Sequence, residues 1–206
     1  MTLQDQIKAQ TLQLIAIPSD PIWRLQVAQY HAMVQAGILT EDDPVELLEG
    51  WLVPKMPKNP PHRVCTQTTR ELLAQMVPSG WYVDDQEPIT TEDSEPEPDI
   101  VIVRGQRRDY LERHPKAQEV ALVVEVADAT LQRDRTSKKR IYARAGIPIY
   151  WLINLVDRHV EVYTKPMSHL TVADYAEQQI YLPHDQLVVV LHEQVLGMVP
   201  VSDMLP

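Results

Sequence analysis

Apolar and polar positions alternate with two periods along this chain, and the period changes mark its elements. In "WRLQVAQYHAMVQAG", Trp23, Val27, Tyr30 and Val34 recur at helical spacing, and Gly37 is a natural stop. "VELL" and "WLVPKM" flank Glu49-Gly50 and read as a hairpin; "KNPPH" then breaks the pattern. "HRVCTQTTRELLAQMV" resumes a helix, with Val64, Thr68, Leu72 and Met76 on one stripe, and Pro78-Ser79-Gly80 ends it. "WYVDDQEPIT" is a strand and the acidic "TEDSEPEP" a loop. Strands follow at 99–104 and 119–127, joined by the charged "GQRRDYLERHPKAQ". A third helix runs from Thr130 to Ala145 and is closed by Gly146 and Pro148. "IYWLINL" and "RHVEVYTK" make a second hairpin around Val156-Asp157, and two short strands lie near Thr171–Ile180 and Gln186–Leu191. "VVVLHEQVLGMVPVSDML" either extends the sheet and closes it with a short helix or forms a homodimer patch. Residues 1–20 are Gln-rich and weakly patterned, an arm or short helix. The order implies one mixed sheet with helices packed on it. The expected organisation is a single domain over 1–206, with its core at 21–165 and a C-terminal strand extension at 166–206.

The two middle strands raise a chemical question. "EVALVVEVAD" is apolar on both faces from Val120 to Val126 except for Glu125, the pattern of a central strand. An ionised carboxylate there is costly unless paired or metal-bound. The loop between the strands suits an antiparallel return. A register pairing Val101 with Val123 would set Asp99 opposite Glu125 on the same face. Facing carboxylates resolve their repulsion by a shared proton, a raised pKa or a divalent cation. The ordinary alternative is a strand-end aspartate after a Pro-rich turn and a glutamate paired with an arginine.

The third helix shifts that balance. At about 100° per residue, Leu131, Lys138, Ile141, Tyr142 and Ala145 share one face, and Arg133, Arg140 and Arg144 the opposite one. Lys138 sits inside the apolar stripe, where it either snorkels to solvent or folds back to the end of the preceding strand. In the second case the two acids and the ammonium converge. Hard carboxylate oxygens suit Mg²⁺, a bound divalent ion acidifies water and polarises a phosphodiester, and a lysine adds positive charge where negative charge develops.

Bulk properties narrow the field. The chain has 206 residues and a formal net charge of −10. One cysteine, Cys65, excludes an intrachain disulfide, and it reads as a buried thiol. The N-terminus carries no signal peptide, and no stretch approaches the ~20 apolar residues of a membrane span, so a cytoplasmic location is expected. Seven histidines lie scattered without zinc-ligand spacing. There is no phosphate-loop or dinucleotide-binding glycine motif. An acidic chain is not an obvious nucleic-acid binder, but Arg133, Arg135, Lys138, Lys139, Arg140 and Arg144 fall within twelve residues. That run is either a solvated face or a phosphate track.

"EPD" with its apolar strand, then "VVEV", then "DRTSKKRIYARAGIPIYWLIN", resembles the bacterial, chiefly cyanobacterial, restriction-endonuclease domain family within the PD-(D/E)XK nuclease superfamily. "AGILTEDDPVELLEGWLVPKM" and "PPH" belong to the same resemblance, which runs from about Leu25 to Tyr163. It implies an α/β, restriction-endonuclease-like fold: a mixed sheet with an αβββαβ core flanked by helices. It implies hydrolysis of nucleic-acid phosphodiesters, with DNA as substrate, Mg²⁺ (or Mn²⁺) as cofactor and a homodimer as the working form. Asp99 and Glu125 match the metal-binding acids. The superfamily lysine normally stands two residues after the second acid; here that position is Ala127, and Lys138 is the matching residue. Lys139 is an adjacent alternative that projects about 100° away. Glu46 matches an extra metal ligand and His62 a recurring histidine. Arg133, Arg135, Lys139 and Arg140 are the expected contacts to the nucleic-acid backbone. Glu49 and Ile149 depart from the family pattern at positions where aspartate and an acid are usual. Two other functions stay open: a catalytically weak or inactive member acting as a binding or assembly module, and a hydrolase that uses the same acids on substrates other than nucleic acid.

Overall fold

The computed structural model describes residues 22–40, 42–169 and 172–206; the expected N-terminal arm at 1–20 lies outside them. The first helix, α1, is Val27–Gln35. Its entry is held by the Gln26 N–H donating to Gln29 Oε1 at 2.9 Å, and it ends before Gly37, whose φ of +68° reverses the chain. Trp23 precedes this helix and is 76% exposed, and α1 buries none of its residues fully. The expected stripe is therefore a surface feature rather than a core one.

β1 (Val45–Leu48) and β2 (Trp51–Pro54) form the first hairpin. Glu49 and Gly50 both have positive φ, as a tight two-residue hairpin turn demands. Gly50 is also required sterically: a Cβ there would stand 2.6 Å from Arg24 Cβ. The second helix, α2, is Pro60–Ala74. Asn59 caps it by accepting from the His62 N–H at 3.0 Å, and prolines fill the first turn, where no amide donor is needed. Its buried face is Cys65, Thr66, Thr69 and Leu73, one position away from the expected stripe, and Val64 is 54% exposed. Thr66 tolerates burial because its hydroxyl donates to His62 O within the helix at 2.9 Å.

Six strands make the central sheet in the order β3-β4-β5-β6-β7-β8: Trp81–Asp85, Ile100–Arg104, Val120–Ala127, Ile149–Asn154, His159–Met167 and Asp174–Tyr181. All neighbours are antiparallel except β5 and β6. This is a mixed α/β architecture with helices against a mixed sheet. The crossover that makes β5 and β6 parallel is a continuous helical stretch, α3, over 131–144. It consists of Leu131–Arg133 in α geometry, Asp134–Lys138 as a π-helical turn, and Lys139–Arg144 in α geometry again.

Every residue of β5 is buried, as a strand covered on both faces must be. Alternation sends Ile100, Ile102, Leu122 and Val124 to one face, with Cys65 and Leu73 of α2. Val101, Val103 and Val123 go to the other, with Ile141, Tyr142 and Ala143 of α3. The C-terminal segment does not simply prolong the sheet. β8 does extend it, but β9 (Gln186–Leu191) and β10 (Gln194–Pro200) form a separate hairpin. Leu187, Val189 and Leu191 all lie on one side of β9 and join the α2-side core, so the hairpin covers a sheet face instead of lengthening an edge. A short helix, α4 (Val201–Met204), closes the chain. No helix among the described residues is long and apolar enough to cross a membrane.

Candidate active site

The β4–β5 register fixes the first two site residues. Val101 pairs with Val123 and Ile100 with Val124. Asp99 and Glu125 then continue the same ladder on the α3 side. Both are buried, as are Glu46, Asp134 and Lys138. With His62 they line one small cleft of about 90 Å³. β1 contributes Glu46, α2 His62, the start of β4 Asp99, β5 Glu125, and the π-helical turn Lys138.

The π-helical turn ends at Lys138, and the lysine folds back under it. Its Nζ donates to Glu125 Oε1 at 2.9 Å and stands 3.3 Å from Glu46 Oε2 and 3.5 Å from the Glu97 carbonyl. Burial favours the neutral amine, but Glu125, Glu46 and Asp134 outweigh it, so the lysine stays an ammonium. Burial pushes the Glu125 carboxyl up against the pull of Lys138, and Asp134 and Asp99 add to the rise. The Tyr142 hydroxyl donates to the same Glu125 Oε1 at 2.5 Å.

Asp99 is tuned the other way. Burial raises it, but His62 Nε2 at 3.1 Å and the Val126 N–H at 2.9 Å, both on Oδ2, together with the Lys138 charge, hold it below the usual carboxylate range. Asp134 reaches about 6, raised mainly by burial. One ionised aspartate, one glutamate that binds its proton more tightly and one ammonium thus share the cleft, the separation of protonation states that acid–base sites use.

The donor set fits a hard divalent ion. Oxygen is the only ligand element the acids offer, and neither Asp99 Oδ1 nor Glu125 Oε2 takes a hydrogen bond among the described residues. These residues hold no preformed group of three acid, histidine or cysteine ligands. A hydrated Mg²⁺ needs no more than one or two carboxylates.

The expected basic contacts divide. Arg133 lines the cleft, donates to Pro54 O at 3.0 Å and lies 3.6 Å from Glu46. Arg135 is bound to Glu161 at 2.5 Å, Lys139 to Asp174 at 2.8 Å and Arg140 to Glu49 at 2.6 Å, all three away from the cleft. Sequence reasoning missed two cleft lysines, Lys55 and Lys58; the latter stands 3.6 Å from Asp99 Oδ1. Their only signal was their place in "KMPKNPPH", just ahead of His62.

A cleft of this kind, entered at the ends of two central strands and built from acids and a lysine on a mixed sheet, defines a nuclease-like α/β protein. The chain belongs to the Uma2 family, described as "Putative restriction endonuclease", whose model matches residues 27–198. Its fold is similar to that of a crystal structure described as a putative nuclease belonging to DUF820 from Anabaena variabilis. The two are 17% identical, the match covers 82% of this chain and 94% of that one, and the TM-score is 0.61. No curated protein matches the chain. Family and fold together support a nuclease-type function.

Proposed function

We propose that this protein is a metal-dependent endonuclease that hydrolyses DNA phosphodiesters. The observation that carries the reading is the convergence of Asp99, Glu125 and Lys138 in one cleft, with Glu46 and His62 beside them. Asp99 and Glu125 would hold Mg²⁺ or Mn²⁺, with Glu46 as a further oxygen donor. Such an ion polarises a phosphodiester and lowers the pKa of bound water. His62 and the Val126 amide fix the Asp99 carboxylate and keep it ionised. Lys138 keeps a positive charge against the reacting centre, where negative charge builds up on the phosphoryl oxygens. Lys55, Lys58 and Arg133 meet the phosphates on either side.

A second reading has its own observation. Lys138 already bridges Glu46 and Glu125, so part of the acids' charge is balanced without any ion. In that case the chain is a binding or assembly module on a nuclease fold. Calorimetric titration with Mg²⁺ and Mn²⁺ separates the two, run on wild type and Asp99→Ala beside a plasmid-cleavage assay. The enzyme reading expects metal binding and metal-dependent nicking in wild type, both lost in Asp99→Ala. Neither binding nor nicking in wild type would leave only the module.

A further inference from the structure

A second cavity, of about 860 Å³, opens beside the cleft, and Lys55 and Glu97 line both. These two side chains form an ion pair, so a salt bridge is the wall between the two spaces. Glu97 is also tied to the site: its N–H donates to Glu46 Oε2 at 3.2 Å, and its carbonyl faces Lys138. Whatever occupies the second cavity therefore sits next to whatever occupies the first.

Its lining has a different character. Tyr30 and His31 enter from α1, and Tyr110 and His114 from the β4–β5 loop; all four rings are half-buried. At the base lies Glu95, only 4% exposed. Its Oε2 is 2.6 Å from His31 Nε2 and accepts from the Thr90 hydroxyl at 2.8 Å. Its Oε1 takes no hydrogen bond among the described residues; the nearest candidate, His114 Nε2, is 4.0 Å away. Glu95 lines the cavity, and this oxygen has the capacity to accept a hydrogen bond from a group that enters it. The lining acids, Asp43, Glu87, Glu95, Glu97 and Glu112, outnumber the basic residues Lys55, Arg113 and Lys116, which disfavours a phosphate. Flat rings that stack, a carboxylate that accepts and a phosphate-binding cleft next door match a nucleobase.

We propose that this cavity takes the unpaired base adjoining the scissile phosphate, and that Glu95 selects bases with an exocyclic amine, cytosine, adenine and guanine, over thymine. Thymine's one N–H donor stands between two carbonyl oxygens that repel a carboxylate, where the other bases offer an amine. The proposal rests on the nuclease reading above. Binding of fluorescent oligo(dC), oligo(dA) and oligo(dT) octamers tests it, followed by anisotropy with Ca²⁺ in place of Mg²⁺. Cleavage of bis(p-nitrophenyl) phosphate, a diester with no base, is measured alongside with Mg²⁺. Wild type should bind oligo(dC) and oligo(dA) about tenfold more tightly than oligo(dT), the worth of one hydrogen bond to a charged group. Glu95→Gln should erase that preference and leave diester cleavage unchanged. Tyr30→Leu, which keeps the carboxylate, should weaken all three octamers together and serves if Glu95→Gln does not fold. Equal binding of the three octamers by wild type, a preference surviving in Glu95→Gln, or undiminished binding by Tyr30→Leu each overturns the base site. If the diester is cleaved while the preference is absent, the nuclease reading stands and only this proposal falls. If wild type does not cleave the diester, the nuclease reading itself fails.

Discussion

At the residue scale, Asp134 carries the clearest consequence of burial. The native state raises its carboxyl to about 6, so the folded protein holds that proton more tightly than the unfolded chain does. The resulting stabilisation is complete below the usual carboxylate value near pH 4 and is lost as pH rises to about 6. Asp134→Asn removes this dependence. With divalent ions chelated, denaturant titrations should show the variant gaining on wild type by roughly 2–3 kcal/mol between about pH 4 and pH 7. Parallel stability curves across that window would mean another group titrates. The same scale shows what the sequence could disclose about the site. Asp99 and Glu125 were legible because unbroken apolar runs on both sides left one sensible register. The apolar stripe alone left Lys138 either snorkelling or folding back, and the family resemblance is what singled it out. Asp134, Lys55 and Lys58 were not legible: charges among other charges, or in a proline-broken segment, carry no periodicity.

At the element scale, the π-helical turn in α3 matters most. A run of ordinary helix formers gives no hint of it, since the α and π periods differ too little over five residues to register in the pattern. The turn is clamped from the sheet. Arg135, within it, donates twice to the buried Glu161 of β7, and Tyr163 donates to the other oxygen at 2.5 Å. Arg135 is thus a fastening of the helix that carries Lys138. Breaking a buried ion pair by removing one partner costs about 3–5 kcal/mol, and less where one side is partly solvated, as Arg135 is. Glu161→Gln should therefore lower unfolding free energy by about 1–3 kcal/mol in urea titrations. It should also reduce nicking by slackening the approach of Lys138 to Glu125. Unchanged stability would show that the clamp is incidental. The one-position error in the α2 stripe has a related origin: threonines satisfied within their own helix can face the core, and a pattern of apolar letters overlooks them.

At the scale of the whole molecule, on the nuclease reading, the charge balance would set how DNA is held. Most of the basic run in α3 is spent inside the protein: Arg140 and Arg144 on Glu49, Arg144 also on Asp93, and Arg135 on Glu161. The cleft keeps Lys55, Lys58 and Arg133. Three cations at a single strand predict a log–log salt slope of about −2, readable from oligonucleotide binding at several ionic strengths. A slope of about −4 would mean that α3 releases Arg135, Arg140 and Arg144 to the substrate. The overall fold was legible in outline because unbroken apolar runs mark the buried strands and the breaks between them are sharp. The C-terminal hairpin was not, because one-sided alternation in β9 is equally consistent with lengthening a sheet and with lying across it.

The position of Lys138 has a last consequence, for biosynthesis. Asp99 and Glu125 leave the ribosome before the helix that carries the lysine, and β6, which seals Glu125 from its other side, follows later still. A nascent or truncated chain ending in the loop after β5 therefore holds Glu125 without the ammonium that pairs with it. On the nuclease reading, a chain that stops short of that helix cannot assemble the cutting site, and such an abortive fragment is harmless to the nucleic acids around it.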